Sequence, residues 1–403
     1  MTKLLLLNTS ANTGSTGRIA KEIGLLAQQS GYEVRFAYGR NAVNSRLPLI
    51  KIGNQWDMRW HGLKSRLCDA HGFASRRATL VLIKQLEAWK PDIVNIHNLH
   101  GYYINIKLLF DYLKRVQIPV VWTFHDCWPF TGHCSFFDRY DCHKWETECH
   151  HCPNRKGYPE SWFFDRSKIN YYRKKEIFNG LNNLTIVTPS AWLAQHVRSS
   201  YLQNYPVKVI NNGVDLEIFS PVKDVSILQN YGISEKPYIL GVASTWDKRK
   251  GLDVFIALRK LLSEDIQIVL VGLSTEQTLE LPGAITAINR TENTAELAAL
   301  YSAATIFVNP TYVDNFPTTN IEALACGTPV ITYRTGGSPE AVDAETGIVV
   351  EKGNVEELKE AVEKLLTCGK IHYIEKCRKR AEKLFAKDDR YKDYVELFNT
   401  VIK

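Results

Sequence analysis

Residues 314–330 read DNFPTTNIEALACGTPV, a loop, an apolar helix and the start of a strand that together carry two spaced carboxylates. A helix beginning near Thr318 or Thr319 would have a hydroxyl available to cap its free backbone N–H groups. Asp314 then lies in the loop and Glu322 in the first turns of the helix, close to an end that attracts anions. The pattern predicts that the two acids bind separate diols of a polar ligand. An ordinary βα unit with incidental surface acids is the alternative.

Short apolar strands alternate with helical patterns on both sides of this stretch, which is typical of parallel α/β sheets. A chain of 403 residues is long enough for two such domains. The predicted strands are Lys3–Asn8, Glu33–Tyr38, Asp92–His97, Val120–His125, Thr185–Pro189, Val207–Ile210, Tyr238–Ala243, Gln267–Val271, Ile306–Val308 and Val330–Thr332. We place the boundary near 205–209, with an N-terminal domain over 1–206 and a C-terminal domain over 207–387.

Polar side chains follow two of the predicted strands. His97 and His100 come at or after the end of DIVNIH, and His125 and Asp126 at the end of VVWTFH. In open α/β sheets, ligands bind beyond the carboxyl ends of the strands. We therefore expect His125 to face a ligand, and a hydrogen-bonded core histidine is the alternative.

The composition is that of an ordinary soluble globular protein, with a net charge of +7. The N-terminal apolar run is only LLLL and has no cleavage-type site after it, so we do not expect a signal peptide. No apolar segment is long enough to span a bilayer. We expect a cytoplasmic protein whose nine cysteines are reduced or bound to metal.

Basic residues gather over 59–90 and are interleaved with Trp60, Leu63, Leu67 and Phe73. Such a stretch fits a peripheral contact with the inner face of a membrane. It also fits a solvated helix with one face in the core, which is the interpretation that we favour.

Several motifs, in their order along nearly the whole chain, resemble the retaining glycosyltransferases of family 4. They are the GSTG loop at 14–17, TFHD ending at Asp126, NNGVD at 211–215, WDKRKGLDVFI at 246–256, the acidic pair and GGSPE at 336–340. The family has the GT-B fold, two Rossmann-like domains with parallel sheets that face each other across a cleft. In that fold a terminal helix crosses back to the first domain, and the resemblance gives this role to the amphipathic segment 388–403.

Two positions depart from the family pattern. The first acid is usually Glu and is Asp314 here, and the usual Arg before the lysine-glycine element is replaced by Thr245. Lys248 and Arg249 are nearby cations that could take its place.

The resemblance implies a hexosyltransferase that moves a sugar from a nucleotide-diphosphate donor, with UDP or GDP, to a saccharide acceptor, lipid-linked, in surface polysaccharide or capsule synthesis. His125, Lys250, Asp314 and Glu322 would be the catalytic residues. No DxD metal motif is found where a metal-dependent transferase would need one, so no catalytic metal is expected. The implied donor-binding residues are Gly14, Gly17, Arg18, Arg249, Lys250, Asn289, Arg290, Asp314, Asn315, Phe316, Pro317, Thr318, Thr319 and Glu322.

The segment 127–152 is an insert with a C-x7-C-x6-C-x2-C series formed by Cys134, Cys142, Cys149 and Cys152. Four thiolates with a CxxC pair are typical of a structural zinc site. Free or redox-active thiols are the alternative. The insert follows His125 directly, so we expect it to shape the acceptor side.

Two other functions fit parts of the sequence. A GT-B nucleotide-sugar 2-epimerase would bind the same donor without needing an acceptor. A nucleic-acid-binding module could combine the cysteine loop with the basic stretch, but it would leave Lys250 and the acidic pair without a role, and no nucleic-acid partner is expected. A dehydrogenase is disfavoured because the dinucleotide fingerprint is missing.

Overall fold

The computed structural model describes residues 1–43, 45–233 and 236–402, which form two compact units. Unit 1 comprises residues 1–211 together with the segment that begins at Arg390, and unit 2 comprises residues 212–389. Each unit is built around one parallel sheet. The predicted α/β fold with two parallel sheets is therefore confirmed.

Unit 1 contains a seven-stranded parallel sheet in the order β3-β2-β1-β4-β5-β6-β7. Its strands are β1 (Lys3–Asn8), β2 (Glu33–Tyr38), β3 (Leu49–Lys51), β4 (Ile93–Ile96), β5 (Val120–Thr123), β6 (Leu184–Thr188) and β7 (Val207–Val209). Its helices are α1 (Gly14–Gln29), α2 (Gln55–Cys68), α3 (Arg76–Trp89), α4 (Ile106–Val116), α5 (Ser167–Phe178) and α6 (Ala191–Arg198).

Central strand β1 explains why a continuous apolar run forms a strand here. Side chains alternate between the two faces of a strand, and Leu5 and Leu7 belong to one buried cluster while Leu4 and Leu6 belong to another. Both faces are covered, so neither needs polar residues.

Unit 2 contains a six-stranded parallel sheet in the order β10-β9-β8-β11-β12-β13. Its strands are β8 (Tyr238–Val242), β9 (Gln267–Val271), β10 (Ile285–Ile288), β11 (Ile306–Asn309), β12 (Val330–Tyr333) and β13 (Gly347–Val350). Its helices are α7 (Leu252–Leu261), α8 (Thr275–Glu280), α9 (Thr294–Ala303), α10 (Thr318–Ala325), α11 (Val355–Cys368) and α12 (Ile374–Phe385).

The last helix, α13 (Lys387–Ile402), begins in unit 2 and continues in unit 1. Its aromatic residues Tyr391, Tyr394 and Phe398 pack in the cluster that holds Leu4 and Leu6. The hydroxyl of Tyr32 also donates to Asn399 Oδ1 at 2.6 Å. Lys403, the end of the predicted segment 388–403, lies outside the described residues.

The structure corrects the assignment of one predicted strand. Val207–Ile210 was expected to open the second sheet, but β7 pairs in parallel with β6, with Val187 opposite Lys208. The chain therefore passes from unit 1 to unit 2 after Asn211. The difference arises because an apolar pattern predicts that a strand forms but does not predict which strand it pairs with.

Within the described ranges, no helix is both long enough and apolar enough to cross a membrane.

Candidate functional site

Two loops of unit 2 bring together the predicted cation and the first predicted acid. Lys250 lies in the loop between β8 and α7, and Asp314 lies in the loop between β11 and α10. Lys250 Nζ is 2.5 Å from Asp314 Oδ2, and the two side chains are 25% and 18% exposed. This partly sheltered ion pair therefore joins residues that are far apart in sequence.

The same loops are also fixed to each other through their backbones. The Tyr312 N–H donates to the Arg249 carbonyl oxygen at 2.7 Å. Gly251 has φ +75°, and a Cβ there would lie 2.3 Å from the Pro310 carbonyl oxygen. Only glycine allows this approach, so the WDKRKG element positions Lys250 by contact with the loop after β11.

The GGSPE element supports the Asp314 loop from another side. Gly336 has φ +53°, and a Cβ there would lie 1.7 Å from the Asp314 carbonyl oxygen. The Gly337 N–H donates to the Asn315 carbonyl oxygen at 2.9 Å. Asn320 Nδ2 donates to Ser338 Oγ at 3.0 Å, which ties this element to α10.

The expected threonine cap on the acidic-motif helix is wrong. Helix α10 begins at Thr318, its N-cap residue is Pro317, and no side chain caps it. Proline has no side-chain acceptor, and Thr318 and Thr319 are already inside the helix, where hydroxyls do not take the capping position. The first N–H groups of α10 therefore have no side-chain cap that would compete with an anion.

Glu322, the second acid, lies in the second turn of α10 and is partly buried. Its Oε2 accepts a hydrogen bond from the Tyr301 hydroxyl at 3.1 Å. Tyr301 is fully buried, and burial followed by the nearby carboxylate raises its pKa well above the usual value. Tyr301 therefore stays a hydrogen-bond donor, and the sequence held no signal for this partner.

The remaining predicted residues of unit 2 are spread over several loops. Asn289 and Arg290 follow β10 and are exposed. Arg249 forms an ion pair with Asp247, with Nη2 to Oδ2 at 2.9 Å. Asn315, Phe316 and Pro317 are buried, and Thr318 and Thr319 are partly buried.

Three predicted donor residues of unit 1 lie in the first two turns of α1, which begins within the predicted GSTG loop: Gly14 and Gly17 lie in its first turn and Arg18 at the start of the second. The helix begins at Gly14, and Thr13, its N-cap residue, makes no side-chain cap. A Cβ at Gly17 would lie 3.0 Å from the Ser10 carbonyl oxygen, so the loop after β1 presses close to the helix. Arg18 is exposed.

His125 follows β5 and contacts a second histidine. Its Nε2 is 2.9 Å from His97 Nδ1, and the rings stack with centroids 5.2 Å apart. Burial lowers the pKa of His125 to about 4, although nearby Asp126 opposes the shift. His97 Nε2 in turn contacts Asn95 Oδ1 at 3.0 Å. At neutral pH the pair is uncharged, with tautomers set by this chain of contacts.

His100 and Asp126, which the sequence places near the ends of two strands, form a hydrogen-bonded pair. His100 Nε2 is 2.6 Å from Asp126 Oδ2, and His100 Nδ1 is 3.1 Å from the Tyr158 hydroxyl. Burial would raise the pKa of Asp126, but His100, the hydrogen bond from the Trp128 N–H and His125 together lower it. A carboxylate at this sheet edge is therefore held ionised.

Four of the five cysteines of the insert line one small cavity together with His133 and His150; they are Cys134, Cys142, Cys149 and Cys152. The Gly132 N–H donates to Cys149 Sγ at 3.2 Å, and the Cys134 and Cys152 thiols are hydrogen-bonded. Among the described residues, no three His, Cys, Asp or Glu side chains are already arranged around a common metal position. The zinc ion stays a prediction.

Sequence comparison matches both halves of the chain to known families. Residues 17–218 match the model described as Glycosyltransferase Family 4, and residues 226–384 match Glycosyl transferases group 1. The putative colanic acid biosynthesis glycosyl transferase WcaC of Escherichia coli K12 is 26% identical over 280 residues. That match covers 66% of this chain and 66% of WcaC, so it spans just under two thirds of that relative.

Solved structures share the fold over essentially the whole chain. Sucrose-phosphate synthase from Thermosynechococcus elongatus has a TM-score of 0.73 at 17% identity, covering 100% of this chain and 99% of that one. HepE from Anabaena, solved in complex with UDP and glucose, has a TM-score of 0.71 at 16% identity, covering 99% and 100%.

Proposed function

Because the chain belongs to Glycosyltransferase Family 4, we propose that it moves a hexose from a nucleotide-diphosphate sugar to a hydroxyl of a saccharide acceptor. The observation that carries the proposal is the Lys250–Asp314 pair beside the uncapped start of α10. A cation, backbone N–H groups and a carboxylate are the groups that a sugar diphosphate needs.

The leaving group is a nucleoside diphosphate, and its charge must be stabilised as the glycosidic bond breaks. Lys250 Nζ and the N–H groups over 316–319 meet the phosphates in this proposal, and the donor-binding roles of Gly17 and Arg18 stay predictions. Arg249, which pairs with Asp247 in the structure, takes the place of the missing arginine at Thr245. Cations and helix dipoles thus do what Mg²⁺ does in metal-dependent transferases.

The two acids have separate roles in the proposed reaction. Glu322 accepts hydrogen bonds from the ribose diol, oriented by the Tyr301 hydroxyl. Asp314 binds hexose hydroxyls and orients the anomeric carbon, and the catalytic role of His125 stays a prediction. Configuration is retained in the proposal: the acceptor oxygen bonds to the anomeric carbon on the face that the phosphate leaves, and a phosphate oxygen takes the acceptor proton. Asp314 is then a positioning residue and not a nucleophile of the glycosidase kind.

We propose surface polysaccharide synthesis as the setting, with a polyprenyl-linked glycan as acceptor and the inner membrane face as the place of action. The similarity to WcaC supports this setting. The experiment is a thermal-shift panel of UDP-, GDP- and ADP-sugars, in which the true donor raises the melting temperature by mass action. If no nucleotide sugar stabilises the full chain at millimolar concentration, the proposal is wrong.

A nucleotide-sugar 2-epimerase is the second candidate, since the same donor contacts would serve it. Product analysis separates the two. A transferase releases nucleoside diphosphate and a lengthened glycan only when acceptor is present, whereas an epimerase converts the donor alone. Retention is read from the anomeric NMR signal of the product.

We also propose that Cys134, Cys142, Cys149 and Cys152 bind a structural zinc ion as thiolates. Their shared cavity and the N–H donated to Cys149 support the proposal, because ligating thiolates accept such hydrogen bonds. Metal analysis of protein purified without chelator should give one zinc per chain, and Cys149→Ser should lower it while Cys68→Ser does not. A stoichiometry near zero with all thiols titratable would refute it.

A further inference from the structure

The outer face of α2 presents large apolar side chains to solvent. Trp56, Trp60 and Leu63 are 75%, 64% and 41% exposed, and their spacing of four and three residues places them on one side of the helix. His61 and Ser65 on the opposite side are buried. The helix is therefore anchored by its polar inner face, while the apolar side chains of its outer face remain largely exposed among the described residues.

A second apolar element is attached to the last turn of the same helix. Trp162, Phe163 and Phe164 are consecutive and 48%, 65% and 55% exposed. The Trp162 N–H donates to the Arg66 carbonyl oxygen at 2.7 Å, and Ser161 Oγ donates to the Phe164 carbonyl oxygen at 2.7 Å. These hydrogen bonds hold three aromatic rings outward beside α2.

Each aromatic residue of the loop has an arginine beside it. The guanidinium of Arg66 lies 5.8 Å from the Trp162 ring, and that of Arg166 lies 5.7 Å from the Phe164 ring. Arg155 Nη1 donates to the Phe163 carbonyl oxygen at 3.1 Å. On α2, Arg59 lies 5.4 Å from the Trp56 ring. Aromatic rings beside guanidinium groups suit the boundary between lipid tails and anionic headgroups.

The acidic residues nearby are engaged within the fold. Asp57 completes the capping box of α2 with Asn54. Glu160 pairs with Arg66 at 3.4 Å, and Asp165 accepts hydrogen bonds from the Cys152 and Ser167 N–H groups. Exposed Lys64 and Lys156 add to the arginines. The surface charge therefore complements an anionic partner.

We propose that this surface docks the protein on an anionic lipid bilayer, with the aromatic rings in the interface and the guanidinium groups on the phosphates. We name it the aromatic–arginine surface, and its members are Trp56, Arg59, Trp60, Leu63, Arg66, Arg155, Trp162, Phe163, Phe164 and Arg166. It narrows the sequence prediction of a contact through 59–90, since Leu67 and Phe73 of that stretch are only partly exposed or buried. It also adds a loop that the sequence did not indicate.

The test is flotation of the full chain with vesicles of phosphatidylglycerol and phosphatidylcholine at 0.1 M salt. Binding is expected to require phosphatidylglycerol and to weaken with salt. Trp60→Ser combined with Phe163→Ser should weaken it at least about tenfold, and Arg59→Gln about fivefold. The matched control is Leu80→Ser with Val81→Ser on α3, which removes apolar groups that are 51% and 52% exposed on another surface.

Donor binding by each variant, measured by thermal shift, shows that the fold is intact and keeps this test separate from that of the transfer reaction. The proposal is overturned if the chain does not bind anionic vesicles. It is also overturned if the control variant, Leu80→Ser with Val81→Ser, weakens binding as much as Trp60→Ser with Phe163→Ser. It is equally overturned if the surface variants instead dissociate a dimer in solution, because the occupant would then be a second copy of the chain.

Discussion

Lys250 Nζ and Asp314 Oδ2 lie 2.5 Å apart, on loops that are also joined by the hydrogen bond from Tyr312 to Arg249. Lys250→Ala should lower kcat/KM of transfer by about two orders of magnitude, the usual loss for one charged contact to a developing oxyanion. The control is Lys260→Ala, an exposed lysine at the end of α7. Near-normal turnover of the folded Lys250→Ala variant would contradict the assignment of Lys250 as a catalytic residue.

A double-mutant cycle tells whether Asp314 acts on the sugar or only on Lys250. If Asp314 binds the hexose, Asp314→Ala should add its own loss to that of Lys250→Ala. If it serves only to hold the lysine, the double variant should be no slower than Lys250→Ala alone. Single-turnover rates for the four proteins decide between these outcomes.

Substitution of Glu322, the second acid, should lower the affinity for the donor as well as the rate of transfer. Glu322→Ala should lower transfer by at least about two orders of magnitude. Tyr301→Phe removes only the hydroxyl that donates to Glu322, so it should cost less than about tenfold. Kd for the nucleoside diphosphate, from calorimetry, should rise in both variants. Unchanged Kd values would place Glu322 away from the nucleotide.

A methyl group at Gly336 should displace the Asp314 loop, because its Cβ would overlap the Asp314 carbonyl oxygen. Gly336→Ala should therefore lower transfer at least about tenfold. Gly232→Ala is the matched control: its φ is also positive, at +66°, but the space around it is open. That variant should cost only about 1 kcal/mol of stability. Equal activity of the two variants would show that the Asp314 loop tolerates movement.

Unit 1 should lose stability as the pH is lowered from about 6.5 to about 4. Burial lowers the pKa of His61 to about 3 and of His125 to about 4, and it also lowers the pKa values of His71 and His97 well below the ordinary value. The unfolded chain binds these protons and the folded chain does not, so the free energy of unfolding falls. His133, whose pKa is raised by Asp69 despite burial, opposes the effect.

Tryptophan fluorescence measures this pH dependence for unit 1, because eight of the nine tryptophans precede residue 212. The urea midpoint should fall steadily between pH 7 and pH 4.5. His61→Gln should reduce the dependence, whereas His372→Gln in unit 2 should leave it unchanged. A midpoint that stays constant over this range would contradict the assignment of neutral buried histidines.

The central strands were predictable because they are buried on both faces and read as apolar runs, as in the LLLL of β1. Edge strands were harder: Leu49–Lys51, Ile285–Ile288 and Gly347–Val350 were missed, and each has only partial burial. The motif resemblance predicted Lys250 and Asp314 as separate site residues, without predicting that they contact each other. Their pairing, the bare N-terminus of α10 and the support from Gly336 depend on tertiary contacts that no local pattern encodes.

Helix α13 makes unit 1 discontinuous, with consequences for synthesis on the ribosome. Tyr391, Tyr394 and Phe398 complete the cluster around Leu4 and Leu6, yet they are translated after all of unit 2. Unit 2 can therefore finish folding first, while one face of the sheet formed by the first 211 residues is covered by α1 but not yet by α13. Chaperone binding during translation should concentrate on that face, and a stop codon ahead of residue 390 should yield an aggregation-prone product.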